Sequence, residues 1–186
     1  MNKNNKLCFF SYLKIEYKVK HQMDLLDISL IFSITLCSLV SGFIFTYAIV
    51  VMPGLSKLND KEFIRAFQVT DSVIQNNQPI FMFTWIGSIV SLISTILTSV
   101  ICFGLSENWL VLLFSVVYLF GVHGITIAIH IPLNNHIQKV LIEELNDAAI
   151  TDERVKFERK WNYFNNIRTS ISVSVSLLLL ILLSLR

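Results

Sequence analysis

The sequence predicts an all-α fold: a transmembrane four-helix bundle, with an interfacial amphipathic helix between spans 1 and 2 and a polar helical connection between spans 3 and 4. Three observations predict it. Four apolar segments, about 28–52, 79–105, 109–133 and 167–185, contain almost no charge, and each is close to the roughly 20 residues an α-helix needs to cross a hydrocarbon core of about 30 Å. The composition is 54% hydrophobic with a positive mean hydropathy, too much apolar surface for a small water-soluble core to hide. The 186 residues suit one bundle and leave no room for a second folded domain.

The first 22 residues differ in character from the remainder of the chain. They carry Lys3, Lys6, Lys14, Lys18 and Lys20 against the single acid Glu16, and their apolar residues never run beyond three. Two readings stand for 1–22, a short basic tail or an untranslated stretch with the start at Met23, ahead of a single membrane domain over 23–186. No cleavable signal peptide is expected, because the apolar run behind the stretch exceeds an h-region and lacks a small-residue cleavage site. Span 1 is expected to end at Met52–Pro53–Gly54, where proline removes a donor and glycine permits a turn.

From Leu55 to Gln75, Leu58, Phe63, Phe67, Val69 and Ile74 alternate with charges such as Lys57, Asp60, Lys61, Glu62, Arg65 and Asp71, the pattern of an amphipathic helix lying at a membrane interface. Asn76–Asn77–Gln78 breaks it, and Pro79 suits the first turn of span 2. Only Ser106–Glu107–Asn108 separates spans 2 and 3, so they form an antiparallel hairpin. After Pro132 the polar segment Asn134–Trp161 reads as helical and leads into span 4.

Basic residues set the expected orientation. The two long connections hold Lys57, Lys61, Arg65, Lys139, Arg154, Lys156, Arg159 and Lys160, whereas the short one holds none. With Met23 as the start, the long connections face the cytoplasm; with Met1, the five leading lysines oppose that assignment. A net charge of +2 spread beside apolar spans leaves no footprint for nucleic acid.

Hydroxyl and small residues inside the spans predict which faces meet. Thr84, Ser88, Ser91, Thr95 and Thr98 on span 2, Thr35, Ser38, Gly42 and Phe45 on span 1, and Asn165, Arg168, Ser172 and Ser176 on span 4 recur every three or four residues, the seam of a left-handed helix packing. Span 3 carries a stripe that can titrate: His123, Thr126, His130 and Asn134, on one face at roughly 100° per residue, flanked by Gly121, Gly124 and Ala128. Histidine at membrane depth usually points into a bundle or a wet cavity. His123 on its own also fits a hydrogen-bonded structural histidine.

A second polar cluster, Trp161–Asn162–Tyr163–Phe164–Asn165–Asn166–Ile167–Arg168, opens span 4. Arg168 reads either as a snorkelling anchor in an aromatic belt or as a cation that, with Asn165, binds an anionic or phenolic oxygen. The expected topology puts this cluster and His130–Asn134–Asn135 at the same membrane face.

Metal and haem readings are weak. His123 and His130 lie roughly 10 Å apart along one helix, so they cannot share an iron, and no Asp, Glu or Cys joins them at ligand spacing. Cys8, Cys37 and Cys102 form no CxxC pair, which counts against membrane enzymes that pass electrons from vicinal cysteines to quinone. No metal and no cofactor are expected.

The series Gly42…Val51–Met52–Pro53–Gly54–Leu55, Phe63…Phe67–Gln68, Asn76…Pro79–Ile80–Phe81, Thr126…His130–Ile131–Pro132–Leu133–Asn134–Asn135 and Trp161…Asn165–Asn166–Ile167–Arg168–Thr169 resembles the anthrone oxygenase-like family of small four-helix membrane proteins, over about Leu30 to Leu185. The resemblance implies an integral, multi-pass protein of a bacterial cytoplasmic membrane. It implies that some members oxidise anthrones to anthraquinones with molecular oxygen and without metal or flavin.

For that chemistry the catalytic candidates are His130 as base and Arg168 with Asn165 as oxyanion partners, and the substrate-binding candidates are Asn134, Asn135, His123, Thr126 and Trp161. The expected partners are the lipid bilayer, a lipophilic aromatic or phenolic molecule and molecular oxygen. The alternative is a non-catalytic membrane protein that binds a lipid, a quinone or a partner helix at the same mouth. The sequence specifies no oligomeric state.

Overall fold

In hydrocarbon, main-chain N–H and C=O groups must find partners within their own segment, so long uncharged runs become helices. A computed structural model describes residues 23–186, and every regular element among them is helical. The stretch 1–22, and with it the choice of start, lies outside the described residues. Four helices are long and apolar enough to cross a membrane: α1 (Leu25–Leu55), α3 (Pro79–Glu107), α4 (Trp109–Gln138) and α5 (Asp147–Ser184). A fifth, α2 (Asp60–Gln75), lies between α1 and α3. The four long helices close a ring in which α1 packs on α3 and α5, and α4 packs on the same two.

Local chemistry sets the helix ends. Asp24 accepts from the Asp27 amide at 2.9 Å while Asp27 accepts from the Asp24 amide at 3.1 Å, a reciprocal capping box that starts α1. Asn59 and Glu62 do the same for α2. At the turn into α3, Asn77 takes φ +57, Gln78 caps the Phe81 amide and Pro79 sits in the first turn. Near its far end α3 kinks at Gly104, where φ is +80, a left-handed value that costs glycine little.

Neither in-span proline ends its helix, contrary to expectation. The π-helical turn Tyr47–Val51 precedes Pro53, and α1 then continues through Met52–Leu55. Two π turns, Leu119–Gly124 and Thr126–His130, precede Pro132, and α4 continues to Gln138. Proline crowds the carbonyl four residues back, and a widened turn at that place relieves the clash.

Asn134–Trp161 is not one helix. The chain leaves α4 after Gln138, makes a single 3-10 turn at Ile142–Glu144, and starts α5 at Asp147 under an Asn146 cap. That helix then runs unbroken for 38 residues, so span 4 is the second half of a longer element.

The interior stripe on α1 is displaced by one residue, roughly 100°, from the expected one. Ser33, Cys37, Ser41 and Ile44 are buried, whereas Thr35, Ser38, Gly42 and Phe45 are not. The reason is local: Thr35 donates to the Ile31 carbonyl at 2.8 Å, and a hydroxyl satisfied by its own helix can face lipid. On α3, Ser88, Ser91 and Thr95 are buried as expected, and Ser99 rather than Thr98 completes the seam. All four polar residues expected inside span 4 are buried.

Helix α2 turns Phe63, Ile64 and Phe67 into the protein, against Phe157 and Trp161 of α5 and Ile137 of α4. Val69, expected on that apolar side, is 65% exposed. Arg154 clamps the α1–α2 turn to α5, donating to the Ser56 and Leu58 carbonyls at 2.9 and 2.8 Å and to Asp60 at 2.8 Å. Asp60 also accepts from Thr151, and that bond, followed by Arg154, holds its carboxyl below the usual carboxylate range. At the far end Arg186 joins Asp24, Asp27 and Asn108, tying α5 to the start of α1 and to the α3–α4 hairpin.

Candidate functional site

The α2 end of the bundle encloses a cavity of about 250 Å³ lined by residues of all five helices. On one wall, α5 supplies Arg168 and Trp161, and α4 supplies Thr126, His130 and Asn134. Opposite lie Phe43 and Tyr47 of α1, Phe67 and Asp71 of α2, and Phe81 and Trp85 of α3. His130 and Arg168 sit on different helices, far apart in sequence, and the α4–α5 packing alone brings them to one space.

Arg168 is only 5% exposed. Its Nε donates to Asn165 Oδ1 at 3.0 Å and its Nη1 to Thr126 Oγ1 at 2.9 Å. Its guanidinium carbon stands 5.6 Å from the centre of the Trp161 ring, within cation–π range. Among the described residues no carboxylate forms an ion pair with it, and Nη2 has no hydrogen-bond partner. Asn165 is positioned in turn by donating to the Ile44 carbonyl at 3.3 Å, beside the π turn of α1. A buried cation held by neutral groups keeps most of its attraction for an incoming anion.

His130 is 2% exposed and neither ring nitrogen has a hydrogen-bond partner among the described residues. The Phe164 backbone lies nearby without completing a bond. The ring meets Trp161 edge to face, with centroids 5.1 Å apart. Buried polar atoms are nearly always satisfied, so a histidine with two free nitrogens against a cavity is poised for a ligand.

Below these groups a network fixes the wall. Trp161 donates to Asn134 Oδ1 at 3.0 Å, and Asn134 donates to Asp71 Oδ1 at 2.7 Å. Asp71 also accepts from Gln138 at 3.0 Å and Gln75 at 3.1 Å. This carboxylate is 2% exposed and is held by three amide donors from α2 and α4. Both ends of the Asn134 amide are therefore committed.

The sequence-predicted residues divide accordingly. His130, Arg168, Thr126, Asn134 and Trp161 line one cavity, with Asn165 directly behind Arg168. Asn135 does not line it: its carbonyl accepts from Gln75 at 3.1 Å on the exposed side. His123 does not line it either. It lies against Trp85 and Tyr118 and contacts Ser88 Oγ at 3.2 Å, because the π turns between it and Asn134 rotate the helix out of the straight 100° register.

Asp71 and Tyr47 line the cavity without having stood out in the sequence. Asp71 follows Phe63 and Phe67 at intervals of four, which already put it on the buried stripe of α2. Tyr47 lies three residues after Ile44 on the buried side of α1. Among the described residues, no three His, Cys, Asp or Glu side chains gather as metal ligands.

Four apolar helices, hydroxyl-paired inside and carrying a polar cavity at one end, define a small multi-pass membrane protein with a buried binding site. Comparison supplies the family. The model of the anthrone oxygenase family matches residues 80–178, just over half of the chain, and the protein belongs to that family. The match takes in α3, α4 and most of α5, hence His130, Asn134, Trp161, Asn165 and Arg168, and leaves α1 outside. No significant match was found among curated proteins or solved structures.

Proposed function

We propose that this protein is a cofactor-independent oxygenase of a lipophilic aromatic or phenolic substrate, acting in a bacterial cytoplasmic membrane with its two long connections on the cytoplasmic side. The observation that carries the proposal is the pairing, in one cavity, of a histidine with two free ring nitrogens and an arginine without a carboxylate partner. Family membership supports the reaction type, and the excess of basic residues in the long connections supports the orientation.

For an anthrone the chemistry runs in four steps. One ring nitrogen of His130 takes the acidic C–H proton, and the electron pair moves onto the carbonyl oxygen. Arg168, held by Asn165 and Thr126, stabilises that oxyanion. The electron-rich ring gives one electron to molecular oxygen, and the resulting radical pair joins to form a C–O bond. The histidinium returns its proton to the peroxide, and loss of water breaks the O–O bond and leaves the second carbonyl. One anthrone and one oxygen molecule give one anthraquinone and one water. Trp161 and Trp85 offer flat apolar walls to the ring, and Asn134 acts by holding Trp161 rather than by a free hydrogen bond.

Oxygen uptake with anthrone by the detergent-solubilised or reconstituted protein tests the reading. His130→Ala and Arg168→Met should each lower the rate by about 10²-fold or more with protein levels unchanged. Full activity in both variants refutes the assignment of these roles. The unpartnered Arg168 equally suits a non-catalytic protein that holds an anionic lipid or a quinone. Tight binding without oxygen uptake by the wild type decides for that reading.

A further inference from the structure

We propose that the cavity is loaded sideways from the bilayer, through an apolar groove between α1, α2 and α3, by a flat lipophilic phenol or its anion. The inference rests on the reading of Arg168 as the partner of the ligand's oxygen.

A second void of about 780 Å³ lies on the outer side of the cavity. Its walls are almost wholly apolar, with Leu39 and Val40 from α1, Val69 and Val73 from α2, and Ile80 and Thr84 from α3. It is continuous with the polar cavity: Phe43, Tyr47, Ile74, Phe81 and Trp85 line both. The partition is thus a single layer made mainly of aromatic rings, with Phe43 5.1 Å from both Tyr47 and Phe81, and Phe81 stacked on Trp85 at 5.5 Å. Ring rotations in such a layer need no backbone movement.

The groove faces lipid. Any stretch of roughly 20 residues that spans the bilayer within α1 must include Leu39, Val40 and Phe43, since α1 runs Leu25–Leu55. Leu39 is 56% exposed and Val73 55%, so the outer wall opens at the depth of the acyl chains.

Size points to the same occupant. At about 250 Å³ the cavity falls below the usual range for small-molecule pockets, roughly 300–1,000 Å³, whereas cavity and groove together reach the top of it. A molecule with one oxygen at Arg168 and an apolar body reaching through the aromatic layer occupies both. Such a molecule partitions into the bilayer before it meets the protein.

The test uses wild-type and variant protein in lipid nanodiscs, with 2-naphthol as a bilayer-soluble fluorescent probe and 2-naphthol-6-sulfonate as a bilayer-excluded one. Val73→Trp and Thr84→Trp obstruct the groove without touching the cavity; Val73→Ala, at the same exposed site, leaves it open. Both tryptophan variants should slow 2-naphthol binding by about tenfold or more, Val73→Ala should bind as the wild type does, and the sulfonate should not bind. Unchanged 2-naphthol binding in the tryptophan variants with a properly folded Val73→Ala control, or binding of the sulfonate from water, overturns lateral entry. Arg168→Met separates the two readings: weakened binding there beside unaffected tryptophan variants refutes the entrance and leaves the site standing. Binding to Arg168→Met as tight as to the wild type refutes the site reading itself.

Discussion

The two ends of the bundle handle buried polarity in opposite ways. In the half nearer the α3–α4 hairpin, hydroxyls join helix to helix: Ser33 to Thr95 at 2.9 Å, and Ser41 to Tyr118 and Ser176 at 3.3 Å each. Tyr118 also donates to the Cys37 carbonyl at 2.8 Å. In the half that packs on α2, polar groups are arranged around a space, and the network stops at His130 and Arg168 without closing. Ser99 and Ser115 are also buried without partners in the first half, so a lone hydroxyl does not mark a site. What separates the halves is a titratable ring and a cation left open to one cavity. The same residue classes, polar side chains in apolar helices, hold the fold in one place and wait for a ligand in the other.

That contrast breaks most readily in activity. Arg168→Met should remove turnover while thermal unfolding stays close to the wild type, because the lost bonds go only to Asn165 and Thr126. A variant that loses activity and unfolds earlier by many degrees would make Arg168 a structural residue like its hydroxyl neighbours. Asp71→Asn comes next: it replaces a carboxylate that accepts three amide bonds, so folding stability should fall by about 1–3 kcal/mol, read by chemical denaturation in detergent, with Trp161 fluorescence shifted. Gly121→Val probes packing away from the cavity. A Cβ there would meet Ile171 Cδ1 at 2.9 Å, an overpacking expected to cost about 1–3 kcal/mol with oxygen uptake per folded molecule retained. The smallest effect belongs to Ser41→Ala, at about 0.6 kcal/mol and no change in activity; a large loss of turnover there would erase the distinction between the halves.

Much of this was legible in the residues. Uncharged runs of spanning length marked the four helices directly, and the interleaved charges and apolar residues of 60–75 marked α2. His130, Thr126, Asn134, Trp161 and Arg168 were readable because each is polar or aromatic where its neighbours are apolar. Three things were not. The π turns before Pro53 and Pro132 leave no composition signal, so the helices outlast their prolines and His123 leaves the stripe that straight-helix spacing assigns it. The α1 interior face was off by one residue because a threonine or serine bonded to its own helix looks the same in sequence as one reaching a neighbour. Asp71 was visible but read as solvated, since a charge on an amphipathic helix normally is; only the amides of Asn134, Gln75 and Gln138, brought from two helices, make its burial tolerable.

Helix α5 has a geometric consequence for the whole molecule. Its 38 residues amount to a rod roughly 57 Å long at 1.5 Å per residue, against a hydrocarbon slab of roughly 30 Å. About half of that rod therefore stands clear of the acyl chains, carrying α2 beside it like a bracket on a mast. A neutron or X-ray scattering profile of the reconstituted protein should show mass on one leaflet only, displaced roughly 25 Å outward, and almost none on the other.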